Sequence, residues 1–514
     1  MSTETKGIWK VIGASSVGTL IEWYDFYIFG SLATVIAAKF FPDTDPTAAF
    51  LATLATFAAG FIVRPFGALV FGRLGDIIGR KHTFLLTLVI MGLSTFLIGC
   101  IPAYNDFKLA PVVILVLRLL QGLALGGEYG GAATYVAEHS PEHKRGFYTS
   151  WIQTTATLGL FVSLIVIITT QKLLSPEEFS SWGWRLPFLL SILLVIVSIV
   201  IRMKMKESPL FASLKQEGKT SVNPLKESFG HKLNLKMVLL ALFGATMGQG
   251  VVWYTGQFYA QTFMQKTCFI ESTQSNTWIG IALLLATPFF VVFGWLSDKI
   301  GRKWIMLVGM LLAIVCYKPI FKAMYDMADV HAKEMKSETV LQQLMKPNPK
   351  LKGDSIIYLK RETRYADGSV LININEISKK AVAENIASSQ VPAPNQPKIT
   401  NVLTLNDSYK WKYIGLIFLL VLFVTMVYGP IAAFLVELFP TKIRYTSMSL
   451  PYHIGNGVFG GLVPFIGILS VELTKTTDNP GGNPFAGLYY PIGVAIVCLV
   501  IGAVYLSNKK PTHE

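Results

Sequence analysis

Twelve apolar stretches, most of them near twenty residues or longer, divide this chain and leave few folds open to it. They fall at about 13–40, 48–74, 83–103, 110–137, 146–172 and 184–202, then at 236–263, 276–297, 304–322, 411–436, 445–472 and 485–507. About 20 apolar residues in a helix span the roughly 30 Å of bilayer hydrocarbon. These runs are too long and too continuously apolar for barrel strands. The expected fold class is an all-α integral membrane protein with about twelve transmembrane helices, six and six. Only 15% of residues are charged, against about 25% in soluble domains, too few to cover a water-facing surface. The net charge of +14 does not point to nucleic acid, because the cations sit in short segments between apolar runs, where membrane proteins keep them.

One ten-residue segment occurs twice. Gly72-Arg-Leu-Gly-Asp-Ile-Ile-Gly-Arg-Lys81 returns as Gly294-Trp-Leu-Ser-Asp-Lys-Ile-Gly-Arg-Lys303. A second repeat follows the fourth stretch of each half, where Glu138 leads to Pro141 and Arg145, and Glu437 to Pro440 and Arg444. Asp76 lies 69 residues before Arg145, and Asp298 lies 146 before Arg444, so the second half holds 77 extra residues. The sequence thus divides into an N-terminal six-helix bundle at 1–202, a linker at 203–235, a C-terminal bundle at 236–322 and 411–514, and an insert at 323–410. Both hinges and the linker are rich in Lys and Arg, while intervening loops carry Asp43, Asp45, Glu177 and Glu178. Hinges and both termini are therefore expected in the cytoplasm and the insert outside. Glu22 and Asp25 interrupt the first apolar stretch, which argues against a cleavable signal. Within the insert, β-prone runs flank Asp367-Gly368, which reads as a small hairpin, and the Pro-rich stretch at 391–397 reads as a linker.

The two hinges resemble the loops between helices 2 and 3, and 8 and 9, of the major facilitator superfamily. Ile77 departs from that pattern, which has a basic residue there. Ile21-Glu-Trp-Tyr-Asp-Phe-Tyr27, Arg64-Pro-Phe-Gly67 and Arg118-Leu-Leu-Gln-Gly-Leu-Ala-Leu-Gly-Gly-Glu-Tyr-Gly-Gly131 resemble its metabolite:proton symporter branch, which includes carriers of α-ketoglutarate, citrate, shikimate and proline or betaine. The resemblance covers nearly the whole chain except the insert. It implies a proton-coupled transporter that imports a small polar metabolite, a carboxylate or a zwitterion, by alternating access. It further implies a bacterial inner membrane location and helices 1, 4, 7 and 10 around the central path. The expected partners are a small-molecule substrate, protons and the lipid bilayer, with the chain acting as a monomer. An efflux carrier or uniporter on the same fold is the rival reading, and a transporter-like nutrient sensor a distant one.

Several side chains stand out on physical grounds. Ionisable groups inside membrane spans are costly and by default mark function. Glu22 and Asp25 share a face of the first helix, and Arg64 lies in the second. Arg118, Gln121 and Glu128 share a face of the fourth, with Arg118 and Glu128 about 15 Å apart along the axis, too far to pair. A carboxylate in low dielectric takes up a proton more readily. Asp25, Glu128 and Glu22 are therefore proton-site candidates, and Arg64 and Arg118 anion sites, with Arg64 also a gating candidate. Permanent structural ion pairs are the alternative. In the seventh helix Gln249, Trp253, Gln257 and Gln261 recur every four residues beside Tyr254, a set suited either to a polar solute or to holding helices together. Tyr27 and Tyr428 join the substrate candidates through the helices the resemblance favours. Tyr452, His453 and Asn456 are weaker ones. For the hinges, a carboxylate at a helix end can meet the N-terminus of a neighbour. Gly72, Asp76, Gly79 and Arg80, with Asp298, Gly301 and Arg302, are thus candidates for a conformational latch, joined by Glu138, Arg145, Glu437 and Arg444. Topogenic charge with a tight turn is the bland alternative. Gly218-Lys-Thr220 lacks the leading glycine of a phosphate loop. Four cysteines at unrelated spacings suggest neither metal nor cofactor, and no nucleophile–base arrangement suggests an enzyme.

Overall fold

In the computed structural model, residues 3–41, 46–203, 207, 209–218, 220–347, 355–378 and 398–507 are described. Among the described residues, ten helices are long and apolar enough to cross a membrane. They are α2 (Ala48–Ile77), α4 (Ala110–His139), α5 (Glu142–Leu173), α6 (Gly183–Ile201), α7 (Lys232–Thr267), α8 (Ser272–Ile300), α9 (Arg302–Ala328), α10 (Asp407–Leu438), α11 (Thr441–Leu473) and α12 (Ala486–Tyr505). A bent pair, Gly7–Ser31 and Ala33–Phe40, turns by 59° and forms α1. The 21-residue helix Arg80–Cys100 forms α3. The protein is a multi-pass membrane protein with the expected twelve-helix plan.

The chain packs as two compact units, one of Met1–Tyr259, Ile279–Lys318 and Ile417–Glu514, the other of Ala260–Trp278 and Pro319–Leu416. In the first unit, glycine sets the spacing between α2 and α4. A Cβ on Gly122 would lie 1.7 Å from the Gly60 carbonyl oxygen, and one on Gly126 would lie 2.2 Å from that of Arg64. Only glycine lets these backbones meet, and the contact fixes the turn that carries Arg64. Helix α7 carries π-turns at Leu242–Thr246 and Thr255–Tyr259, and α11 carries one at Ile454–Gly460. The two helices touch through Gly250 and Gly455, where a Cβ on Gly250 would come within 2.3 Å of the Gly455 oxygen. Clusters of π-turns mark places where a helix is re-aimed for function.

The second unit holds a four-stranded antiparallel meander, β1 (Met335–Pro347), β2 (Ser355–Tyr365), β3 (Val370–Ser378) and β4 (Lys398–Thr404). The expected hairpin is β2–β3, paired from Arg364–Val370 to Ile356–Ser378 and turning at Gly368 with φ +83°. The insert exceeds that expectation by two strands. Two register shifts spoil the alternation of β1, and β4 begins directly after a stretch read as linker. Residues 391–397 lie outside the described residues. A part-buried ion pair ties the turn down. Lys333 Nζ contacts Asp367, whose carboxylate also accepts from Tyr409 Oη at 3.0 Å and from Ser369 N–H at 2.8 Å. Partial burial opposes ionisation of Asp367, but the Lys333, Ser369 and Tyr409 donors outweigh it and hold its pKa down to about 2. Strand β4 is anchored through Leu403, which donates to Phe269 O at 2.7 Å and accepts from Glu271 N–H at 3.0 Å. All four cysteines are free thiols.

Candidate functional site

The seam between the two six-helix sets is an aromatic chamber. Trp23 and Tyr27 of α1 stack at 5.2 Å, and each meets Trp253 of α7, at 5.6 and 5.8 Å. Trp253 reaches Tyr254 at 4.7 Å and Tyr428 of α10 at 6.3 Å. Tyr428 shares a 2.7 Å hydroxyl–hydroxyl hydrogen bond with Tyr452 of α11, whose ring stacks on Tyr129 of α4 at 3.6 Å. Arg64 enters this ring of phenols. Its guanidinium lies 4.1 Å from the Phe61 ring centroid and 5.8 Å from that of Trp23, within electrostatic range of Tyr27, Tyr254, Tyr428 and Tyr452. All these side chains except Phe61, Trp23 and Tyr129 were singled out in the sequence. Tyr452, a weaker candidate by sequence, joins the ring through its bond to Tyr428 and its stack on Tyr129.

The four-residue spacing on α7 resolves into two roles. Gln249 reaches Asn456 at 3.5 Å and Gln261 reaches Asn276 at 2.8 Å, so these two hold neighbouring segments together. Gln257, only 1% exposed, has no hydrogen-bond partner for either amide atom among the described residues. The same holds for Trp253 Nε1 and for both ring nitrogens of His453, which stands beside Arg64. Native structures rarely leave buried polar atoms unmet, and each instance asks for a ligand or another specific explanation.

A separate polar chain runs through the N-terminal half. Arg118 packs over Phe29 and Phe57 at 4.4 and 5.0 Å and donates to Gln121 Oε1 at 2.7 Å. Gln121 donates in turn to Thr95 Oγ1 at 2.5 Å; the Thr95 hydroxyl donates to Met91 O at 3.0 Å and lies within hydrogen-bonding reach of the Asp25 carboxyl group. The second carboxyl oxygen of Asp25, Oδ1, is buried with no partner among the described residues. The structure thus joins Asp25, Gln121 and Arg118 and leaves Glu128 apart, where its carboxylate accepts from Thr87 of α3 at 3.0 Å. The side chain of Glu22 lies outside the described residues.

At the hinge end, each repeated carboxylate caps a helix of the opposite half. Asp76 closes α2 and accepts from the backbone N–H and hydroxyl of Thr446, at the start of α11, at 3.0 and 2.7 Å. Asp298 closes α8 and accepts from Gly146 and Phe147 N–H, at the start of α5, at 2.9 and 2.8 Å. Gly79 and Gly301 have φ of +118° and +96°, the left-handed region that glycine tolerates best. Gly72 and Gly294 let the capped helices approach, since a Cβ there would lie 3.3 Å from Thr446 Cα and 2.4 Å from Ser150. The second repeat exchanges partners between halves. Arg145 pairs with Glu437 at 3.7 Å, and Arg444 with Glu138 at 3.4 Å. Arg302 links Asp298 at 2.8 Å to Glu437 at 3.1 Å. The side chain of Arg80, its counterpart in the first hinge, lies outside the described residues. At the opposite end Ala33, Phe50 and Leu54 pack on Ile468.

A family model described as "Sugar (and other) transporter" matches residues 10–218 and 210–341. The chain belongs to this transporter family of the major facilitator superfamily. Among its relatives, the proline/betaine transporter of Escherichia coli (strain K12) is 34% identical over 325 residues, 61% of this chain and 64% of that protein. The alignment therefore spans a little under two thirds of that relative. The alpha-ketoglutarate permease of Escherichia coli (strain K12) is 34% identical over 334 residues, covering 64% of this chain and 75% of the permease. An inner membrane metabolite transport protein of the same strain is 36% identical over 321 residues, 60% of this chain and 72% of the relative. Among solved structures, the proton:xylose symporter bound to 6-bromo-6-deoxy-D-glucose aligns with a TM-score of 0.67 and 14% identity, over 98% of this chain and 97% of that one. At that identity the likeness is one of fold. As a member of this family, the chain is not an enzyme.

Proposed function

We propose that the protein is a proton-coupled secondary transporter that imports a small carboxylate or zwitterion by alternating access. The observation that carries this is the chamber: a buried arginine among phenols, with orphaned amide, indole and imidazole atoms, at the seam of two six-helix halves. Arg64 holds the carboxylate, and Trp253, Tyr254, Gln257, Tyr27 and Tyr428 line the rest. Arg118 extends the positive field, since the two guanidinium groups lie within electrostatic range of each other. The halves, 1–202 and 236–322 with 411–514, rock about this point. The hinge end faces the cytoplasm, with both termini on that side and the insert outside, and the protein works as a monomer in the bacterial inner membrane.

Proton coupling runs through Asp25. A carboxylate there competes with Met91 O for the Thr95 hydroxyl proton, whereas a carboxylic acid can donate to Thr95 Oγ1, and Thr95 is what Gln121 holds while it grips Arg118. A proton on Asp25 therefore re-sorts the hydrogen bonds that orient Arg118. Release to the cytoplasm requires the Asp76 and Asp298 caps and the crossed Glu138–Arg444 and Glu437–Arg145 pairs to part. These are the latches. The test is substrate-driven proton uptake in proteoliposomes, screened over organic acids and amino-acid zwitterions. Flux with accompanying alkalinisation outside is expected; a ligand that binds and is never translocated defeats the reading.

A further inference from the structure

The orphaned atoms of the chamber are of both hydrogen-bonding kinds. Gln257 offers an oxygen that accepts and an NH2 group that donates, and swapping the two ends of the amide leaves that balance unchanged. His453, as a neutral ring, offers one N–H and one accepting nitrogen in either tautomer. Trp253 Nε1–H only donates. Gln257 and His453 are each about 1% exposed. Gln257 follows Trp253 by one turn on α7, and His453 adjoins Tyr452 with ring centroids 5.1 Å apart. Arg64 and Trp253 suffice for a carboxylate, which only accepts. Gln257 and His453 each also offer an acceptor, which a carboxylate cannot meet and a substrate hydrogen-bond donor can.

We propose that the chamber selects a carboxylate that carries its own donor, a hydroxyl or an N–H close to the carboxyl group, and that Gln257 and His453 read that donor. This rests on the chamber being the transport site. A keto acid or a fully N-methylated amino acid supplies no donor and leaves both buried acceptors unmet. An analogue that strands a buried polar group is rejected far more strongly than one that merely differs in size, so discrimination of at least about tenfold follows.

The experiment measures binding to the purified full chain in nanodiscs with two matched pairs: 2-hydroxyglutarate against 2-oxoglutarate, and proline against N,N-dimethylproline. The donor-bearing member of a pair is expected to bind at least tenfold tighter. Gln257→Leu and His453→Phe should each bring that ratio towards one. His453→Gln, which restores one donor and one acceptor, should keep it and serves as the folded control. Equal or tighter binding of the donor-free member in the wild type overturns the proposal. So does a ratio that survives in the Gln257→Leu/His453→Phe double variant. In either case loss of binding in Arg64→Ala would leave the carboxylate reading standing. Failure of all four compounds to bind overturns both.

Discussion

The hinge end and the chamber use the same materials and treat them in opposite ways. At the hinge end both oxygens of Asp298 are hydrogen-bonded to a helix N-terminus, and Arg302 supplies a third contact. In the chamber, Gln257 and His453 are buried with nothing to bond among the described residues. A buried polar atom left unmet costs about 1–3 kcal/mol, whereas a carboxylate capping a helix gains about 0.3–2 kcal/mol. The first arrangement suits contacts that two halves make with each other and later release. The second suits contacts kept for a molecule that arrives from outside.

The sharpest way to break this contrast is at Arg64. Arg64→Ala should lower uptake of any carboxylate substrate by two orders of magnitude or more while leaving thermal unfolding of the detergent-solubilised protein near wild type. A variant that transports normally would remove the chamber from the argument. Next in size is Asp25→Asn, which should abolish uphill accumulation driven by a pH gradient yet preserve counterflow exchange in proteoliposomes. Loss of both modes would mean that Asp25 serves structure instead of coupling. Smaller again are the caps. Asp298→Ala and Asp76→Ala should each shift the balance between hinge-closed and hinge-open states by roughly 5- to 30-fold, as about 1–2 kcal/mol implies. Alkylation of a cysteine introduced at Ser150 would report it, rising as the hinge opens. The charge swap Glu437→Arg with Arg145→Glu should recover part of the loss seen in either single change.

The smallest effect lies in the insert. Asp367 has a depressed pKa of about 2, so its ion pair stabilises the β2–β3 turn above the ordinary carboxylate range. That stability fades as pH falls from about 4 through 2, and is worth about 1–2 kcal/mol after allowing for its partial exposure. Hydrogen exchange at Ser369 should accelerate over that window in the wild type. In Asp367→Asn it should be faster at neutral pH and lack the titration.

The helical plan was legible because lipid removes the ambiguity that water leaves. A run of twenty apolar residues has one inexpensive conformation there. The repeated hinges were legible for a related reason, since glycine at 79 and 301 and aspartate at 76 and 298 stand out against apolar flanks. What stayed hidden depended on partners distant in the chain. Nothing in the repeat Glu138–Arg145 tells that Glu138 meets Arg444, 306 residues away. Periodicity put Gln249, Gln257 and Gln261 together, and only packing against Asn456 and Asn276 separated the two structural amides from the open one. Tyr452 and His453 carry little weight in the sequence because the resemblance favours helices 1, 4, 7 and 10, and a π-turn just beyond them changes how their helix is presented. Strands β1 and β4 were missed because irregular register and a proline-rich approach blur the period-two signal.

The π-turns of α7 have a consequence for how this sequence can vary. Each π-turn accommodates one residue more than an α-helix would need over the same length. Removing one residue from Thr255–Tyr259 would let that turn relax to regular winding with the segments on either side in nearly their present rotation, whereas removing one from the regular turns of Met247–Tyr254 would rotate one side of the cut by about 100° relative to the other. The π-turn is therefore where α7 can lose a residue with least change to the direction in which Trp253 and Gln249 point, and a single-residue deletion there should be better tolerated than one in the turns before it.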